Sequence, residues 1–158
     1  MVVVADTSVL QYLFQVGLFD LLQGLFGTVQ VPDAVRDELR IGRALGFDVP
    51  DPDGYSWMTV RAVTQAPTLD PYDLGAGELA ALSLALEISD SLVLLDDAAA
   101  RMAAKDLALS TTGTLGILLL AKEQGLIAEV SPVLVDLERH GFRVTDLVRR
   151  RVLQLAGE

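Results

Sequence analysis

The stretch VVVAD at Val2–Asp6 is a short β-branched run that ends in an acid. A second apolar run, LVLLDD at Leu92–Asp97, ends in two acids. Continuous apolar runs of this kind are typical of strands that a parallel sheet buries on both faces. Ligands bind beyond the carboxyl ends of such strands, so we expect Asp6, Asp96 and Asp97 to share one rim of the sheet.

The rest of the chain alternates between helical and extended patterns. We predict further strands at about 28–31, 57–63 and 107–111. We predict helices at about 8–25, 32–45, 75–89, 97–107, 113–124, 132–140 and 145–156. This alternation predicts an α/β fold with βαβ units around a mostly parallel sheet. The chain of 158 residues has no linker-like stretch and no repeat, so we expect a single domain over residues 1–158.

The charge balance restricts how the protein could bind nucleic acid. The chain carries 22 Asp plus Glu against 12 Lys plus Arg, a net charge of −10. Such a molecule repels phosphates, so it would need local arginines or bound cations to handle nucleic acid. Its mean hydropathy of +0.42 is high for a monomer and predicts a homodimer or higher oligomer.

Several features of the sequence favour a cytoplasmic location. The absence of cysteine excludes disulfides and thiolate metal sites. No basic residue precedes Asp6, so the positive start of a secretory signal peptide is missing. The apolar stretch Leu115–Ala121 is far shorter than the about 20 residues that a membrane span needs, and we expect no membrane segment.

Two glutamates stand out because they lie on apolar helix faces. Glu38 shares a stripe with Val35 and Leu39, and no basic residue lies three or four positions from it. Glu78 shares a stripe with Leu82 and also has no cation within helical reach. Acids without a local cation are candidates for a functional site.

Each acid also has a simpler structural explanation. Asp6 and Asp96 precede helices, where aspartate is a favoured N-cap. Glu38 is alternatively an exposed residue at the edge of its stripe, and Glu78 a first-turn or capping-box glutamate. Capping does not explain the glycines at positions 75 and 77, which weaken a helix start by about 1 kcal/mol each relative to alanine. We therefore expect a close backbone approach there.

A shared rim would bring these acids into mutual repulsion. In a partly desolvated cleft the repulsion amounts to roughly several kcal/mol, which favours a bound divalent cation. With no cysteine and a single histidine in the chain, the ligands are oxygens, and these favour magnesium or manganese over zinc.

The motifs occur in an order that resembles a known family. They are VVADTS at Val3–Ser8, VPDAVRDEL at Val31–Leu39, GELAAL at Gly77–Leu82, LLDD at Leu94–Asp97 with Arg101, and GTLG at Gly113–Gly116. Together they resemble the PIN-domain ribonucleases, particularly the compact prokaryotic proteins related to VapC-type toxins. The resemblance runs along most of the chain.

This resemblance implies a three-layer α/β/α fold and an acidic pocket that binds magnesium or manganese and hydrolyses RNA. It implies catalytic roles for Asp6, Glu38, Glu78 and Asp96. It implies metal ligation by Asp6, Glu78 and Asp96, with Asp97 as the rival of Asp96. The expected partners are an RNA substrate and a cognate antitoxin protein.

Three further features receive paired interpretations. Thr7 or Ser8 is expected to orient Asp6 by hydrogen bonding, which also fits capping of the next helix. Arg101 either pairs with Asp97 four residues earlier or binds a substrate phosphate near the acids. The Arg149–Arg151 run is interpreted as a solvated helix face, with RNA contact as the alternative.

The leading hypothesis is therefore a metal-dependent endoribonuclease that acts as the toxin of a toxin-antitoxin pair. One alternative is a non-catalytic PIN-like scaffold that binds RNA or a protein. The other is a magnesium-dependent phosphoryl-transfer or receiver-like domain, because an acidic pocket at strand ends serves that chemistry too.

Overall fold

The computed structural model describes residues 1–64 and 72–158, which contain five strands. The strands are β1 (Val2–Ala5), β2 (Val29–Pro32), β3 (Met58–Arg61), β4 (Ser91–Leu94) and β5 (Ser110–Thr112). All neighbouring strands are parallel, in the order β3-β2-β1-β4-β5. The strand order reverses between β1 and β4, and ligands bind at such a switch point in open α/β sheets.

Eight α-helices in the described part of the chain cover both faces of this sheet. They are α1 (Thr7–Gln15), α2 (Leu21–Phe26), α3 (Asp33–Ala44), α4 (Ala76–Glu87), α5 (Ala98–Asp106), α6 (Thr114–Glu123), α7 (Ser131–Arg139) and α8 (Asp146–Leu155). Val4 and Val93 pack with α4 and α5, whereas Val3, Ala5 and Leu94 face a second core with α1 and α6. This arrangement confirms the predicted α/β fold with three layers.

The register of the central strands brings two acids to the same edge of the sheet. Ala5 pairs with Leu94, and the backbone N–H of Asp6 donates to the carbonyl of Leu94 at 3.1 Å. Asp6 and Asp96 therefore leave the carboxyl ends of β1 and β4, the two strands between which the order reverses.

The helix predicted at 8–25 is wrong as one element. It is divided into α1 and α2 by Gly17, which has a φ of +74°. The N–H of Gly17 donates to Phe14 O at 3.1 Å, and the N–H of Leu18 donates to Leu13 O at 2.9 Å. This pair of bonds is a Schellman ending, which a residue in the left-handed conformation produces.

The strand predicted at 107–111 is displaced for the same reason. Ala108 has a φ of +57°, and the N–H of Leu109 donates to Ala104 O at 2.8 Å, so these residues complete the end of α5. The strand β5 consequently begins only at Ser110. The strand predicted at 57–63 is present but shorter, as β3.

The apolar stretch Leu115–Ala121 lies inside α6. Ile117, Leu118 and Ala121 are fully buried in the core. None of the helices in residues 1–64 and 72–158 combines the length and apolarity of a membrane span.

Candidate functional site

Asp6 is the most buried acid of the rim, with only 3% of its surface exposed. It occupies the N-cap position of α1 but makes no side-chain cap bond, so the capping explanation fails for this residue. Its Oδ1 atom is buried and has no hydrogen-bond partner among the described residues. Burial, opposed in part by the bond from the backbone N–H of Thr7 and assisted by the charges of Glu78, Glu38 and Asp96, raises the pKa of Asp6 to about 7.

Glu38 reaches the same place from α3. It is half-buried, and two donors fix its carboxylate. The hydroxyl of Thr7 donates to Oε2 at 2.5 Å, and the backbone N–H of Gly77 donates to Oε1 at 2.9 Å. Thr7 therefore acts on both acids, on Asp6 through its backbone N–H and on Glu38 through its side chain, and the sequence did not predict the second contact.

Gly77 explains why glycine precedes Glu78. A Cβ at position 77 would lie 2.5 Å from Oε2 of Glu38, so the carboxylate of Glu38 could not keep its position beside any residue other than glycine. A Cβ at Gly75 would lie 3.6 Å from Oε2 of Glu78, an ordinary contact. The expected close backbone approach is therefore present, and it involves one of the two glycines.

Glu78 lies in the first turn of α4, where it is both a capping-box glutamate and a neighbour of the other acids. Its Oε2 accepts the backbone N–H of Gly75 at 3.0 Å, which is half of a capping box. Burial raises the pKa of Glu78, the bond from Gly75 opposes this, and the charges of Asp97 and Glu38 raise it again. Glu78 thus caps its helix and also belongs to the acidic cluster.

Asp96 is held in one orientation by the N-terminus of α6. The N–H of Thr114 donates to its Oδ1 at 2.7 Å, and the Thr114 hydroxyl donates to its Oδ2 at 2.7 Å. Burial raises the pKa of Asp96, whereas the bonds from Thr114 and the charge of Arg101 lower it. A Cβ at Gly113 would lie 2.7 Å from Oδ1, so this position also requires glycine. The sequence motif containing Thr114 was noticed, but its contact with Asp96 was not predicted.

Asp97 and Arg101 behave differently from their neighbours. Asp97 is exposed and, as the N-cap of α5, accepts the backbone N–H of Ala100 at 2.9 Å, so the capping explanation given for Asp96 applies to its neighbour instead. Its charge nevertheless acts on Glu78, which places it at the edge of the cluster. The interpretation of Arg101 as an ion-pair partner of Asp97 is wrong, because no such pair forms in the part of the chain that the structure describes.

Asp6, Glu38 and Glu78 open into a small cavity of about 160 Å³, whose lining includes neither Asp96 nor Asp97. Its lining consists of Asp6, Thr7, Ser8, Gln11, Glu38, Gly75, Gly77 and Glu78. A larger cavity of about 540 Å³ lies between α6 and α8, but it brings no converging acids together. Chemistry, rather than volume, identifies the smaller cavity as the candidate site.

The donor chemistry of this site fits a hard divalent cation. No group of three or more acids or histidines in residues 1–64 and 72–158 is already arranged as a metal centre. The available donors are nevertheless carboxylate oxygens, one of them the buried Oδ1 of Asp6 without a partner. A cation would stabilise the charged form of Asp6 against the burial and the repulsion that raise its pKa, and such donors suit magnesium or manganese.

Comparisons with known proteins give one match. The sequence model of the family DUF3368, described as a PIN domain, matches residues 2–158. No curated protein and no solved structure matches the chain. The matched range includes every acid of the candidate site.

Proposed function

The chain belongs to the PIN-domain family, whose fold is of the nuclease type, and from this premise we propose that it is a metal-dependent endoribonuclease. The observation that carries the proposal is the environment of Asp6. It is a buried acid with a free oxygen, and three further carboxylates act on it from different segments of the chain. A fold that needed these acids only as helix caps would have no reason to gather them at one point.

The proposal assigns different tasks to the four acids. Asp6, Glu78 and Asp96 would hold magnesium or manganese, with Asp97 as the alternative to Asp96. When bound, the cation would lower the pKa of a water and neutralise charge on the phosphate. Glu38, fixed by Thr7 and Gly77, accepts the proton of the attacking water.

Hydrolysis then requires little else of the chain. The water oxygen bonds to phosphorus, one P–O ester bond breaks, the leaving oxygen takes up a proton from bulk water, and Glu38 releases the proton it accepted to solvent. Thr114 contributes by keeping Asp96 in one orientation through two hydrogen bonds of 2.7 Å. Replacing a residue that orients a metal ligand in this way commonly lowers metal affinity or activity by about 10- to 100-fold.

The cellular role that we propose is that of a toxin in a toxin-antitoxin pair. An antitoxin would neutralise the site by presenting an arginine to the acids, since a guanidinium pairs with carboxylates.

We also propose that the protein forms a homodimer or higher oligomer. Large apolar side chains that are at least 59% exposed support this, and they are Met1, Ile41, Leu45, Phe47, Met102, Leu147 and Leu155.

The receiver-like alternative receives no support from the sheet. Receiver domains have the strand order 2-1-3-4-5. The order here is β3-β2-β1-β4-β5, with the acids at the β1–β4 junction. The non-catalytic scaffold remains as an outcome of the experiment below.

The test combines calorimetry with RNA cleavage. Asp6→Asn and Glu78→Gln should each abolish or strongly weaken binding of Mn²⁺ and Mg²⁺, because each removes a charged oxygen donor. The same variants should lower metal-dependent cleavage of single-stranded RNA by at least about 100-fold, the scale of losing a main electrostatic contribution. Asp20→Asn is the matched control, since Asp20 is exposed and makes no side-chain cap bond.

The opposite result is equally informative. Metal binding that persists unchanged in both variants would remove the two acids from a common metal site. Intact binding of RNA without turnover, in the wild type as well, would establish the scaffold in place of the nuclease.

A further inference from the structure

A second groove begins beside the acids and runs between α5 and β5. Its volume is about 490 Å³. The residues that line it are Ala98, Arg101, Met102, Lys105, Leu109 and Thr111. It therefore combines two cations, a hydroxyl and an apolar surface, a combination that the acidic cavity lacks.

The two cations of this groove are free to bind a ligand. Arg101 and Lys105 are both exposed, and neither takes part in an ion pair within residues 1–64 and 72–158. The nearest acids along α5 have other partners. Asp97 accepts the N–H of Ala100, and Asp106 accepts the hydroxyl of Tyr72.

The groove is connected to the candidate site through Arg101. The guanidinium Nη1 lies 3.5 Å from where a Cβ of Gly113 would stand, and that same point is 2.7 Å from Oδ1 of Asp96. The charge of Arg101 also acts on Asp96. Lys105 follows one helical turn later, about 6 Å further along α5. The positive charges thus begin at the acids and continue away from them.

We propose that this groove binds the RNA strand next to the bond that is cleaved. Arg101 and Lys105 contact successive backbone phosphates, and Met102 and Leu109 pack against an unstacked base or ribose. The inference rests on the proposed function, because it names the path of the substrate of that site. A single strand is favoured because only unstacked bases present apolar faces to such a surface.

The groove also explains how a strongly acidic protein could bind the phosphates of RNA. A molecule with a net charge of −10 repels RNA over most of its surface. A cation in the acidic site addresses only the phosphate that reacts. The flanking phosphates need cations of the protein, and α5 provides two of them at the edge of the site.

The experiment measures the salt dependence of RNA binding. A fluorescein-labelled single-stranded 12-mer RNA is titrated with Asp6→Asn protein, which retains the groove but lacks turnover, in MgCl₂ at several KCl concentrations. Adding Arg101→Gln and Lys105→Gln should lower the slope of log Kd against log salt by about 1.4, because each lost phosphate contact on a single strand is worth about 0.7. Arg101→Lys should restore most of the lost contribution of Arg101.

The control removes two other arginines. Arg150→Gln with Arg151→Gln takes the same charge from the exposed face of α8, and it should leave the slope unchanged. An unchanged slope in the Arg101 and Lys105 variant would contradict the proposal that RNA binds in this groove. A lower slope in the α8 variant would indicate that RNA binds along α8 instead. The proposed function is judged separately by wild-type cleavage, so the two failures are distinguishable.

Discussion

At the scale of single residues, two helix N-termini hold the acids of the site. The N–H of Gly77 at the start of α4 binds Glu38, and the N–H of Thr114 at the start of α6 binds Asp96. Backbone N–H groups in a first turn favour an anion both as donors and through the helix dipole. Glycine is needed where the carboxylate approaches the backbone most closely, at positions 77 and 113.

This geometry gives a prediction whose control lies two residues away, at the N-cap of the same helix. Gly77→Ala should displace the carboxylate of Glu38, because its Cβ would lie 2.5 Å from Oε2. It should destabilise the fold by at most about 1–3 kcal/mol, the usual range for overpacking, since the end of a side chain yields more easily than backbone. Cleavage should fall further than stability explains, since Glu38 must move. Gly75→Ala should be close to wild type, because its Cβ would meet only ordinary contacts. Urea unfolding and RNA cleavage of both variants measure the difference, and equal behaviour of the two would contradict the prediction.

The acids themselves could be predicted from sequence, whereas their partners could not. Glu38 and Glu78 stand out because no cation lies within helical reach, and this is a local property of the chain. The hydroxyl of Thr7 bonds to an acid 31 residues away, and that of Thr114 to an acid 18 residues away. Such pairings depend on how helices pack, which spacing along the chain does not encode.

At the scale of elements, helix periodicity identified the right segments and missed where the backbone turns. Residues 8–25 are apolar enough to continue as one helix, but Gly17 takes a positive φ and ends α1. Ala108 does the same after α5, without any glycine to signal it. Sequence patterns detect the face that a helix buries, and they detect its ending only when the residue itself prefers a left-handed conformation.

Three helices are joined by one side chain, and this gives a prediction at the same scale. Glu158, which follows α8, accepts the Lys122 ammonium at 2.8 Å and the N–H groups of Val130 and Ser131 at 2.8 and 2.9 Å. The bond from Lys122 and then those two N–H groups lower the pKa of Glu158 to about 2. The N-terminus of α7 has no other side-chain cap among the described residues.

Glu158→Gln should therefore lower the melting temperature at neutral pH. The charged form is favoured in the folded state, so its stabilisation is complete above the ordinary pKa of 4.5 and is lost as the pH falls towards 2. The wild type and the variant should converge in acid. Thermal unfolding at a series of pH values measures this, with Glu129→Gln, at an exposed position, as the control. A constant difference down to pH 2 would argue against the capping role.

At the scale of the whole molecule, the fold gathers buried and mutually repelling carboxylates at one edge of the sheet. The sheet reverses its order between β1 and β4, and this brings the acids that end both strands to one rim. The net charge of −10 adds to the cost of ionising a buried carboxylate there. The folded state therefore binds a proton at Asp6 that the unfolded chain releases at much lower pH.

The stability of the metal-free protein should consequently fall as the pH rises. Because the pKa of Asp6 increases from 3.8 to about 7 on folding, the loss between about pH 4 and pH 7 amounts to at most about 4 kcal/mol. Asp6→Asn should flatten the profile, whereas Asp20→Asn should keep it. Mg²⁺ or Mn²⁺ should restore wild-type stability most strongly at the upper end of the range, where it replaces the proton. Urea unfolding at a series of pH values, in EDTA and in MgCl₂, measures the profiles of the wild type and both variants. An equally steep decline of stability in Asp6→Asn would show that a group other than Asp6 causes the pH dependence.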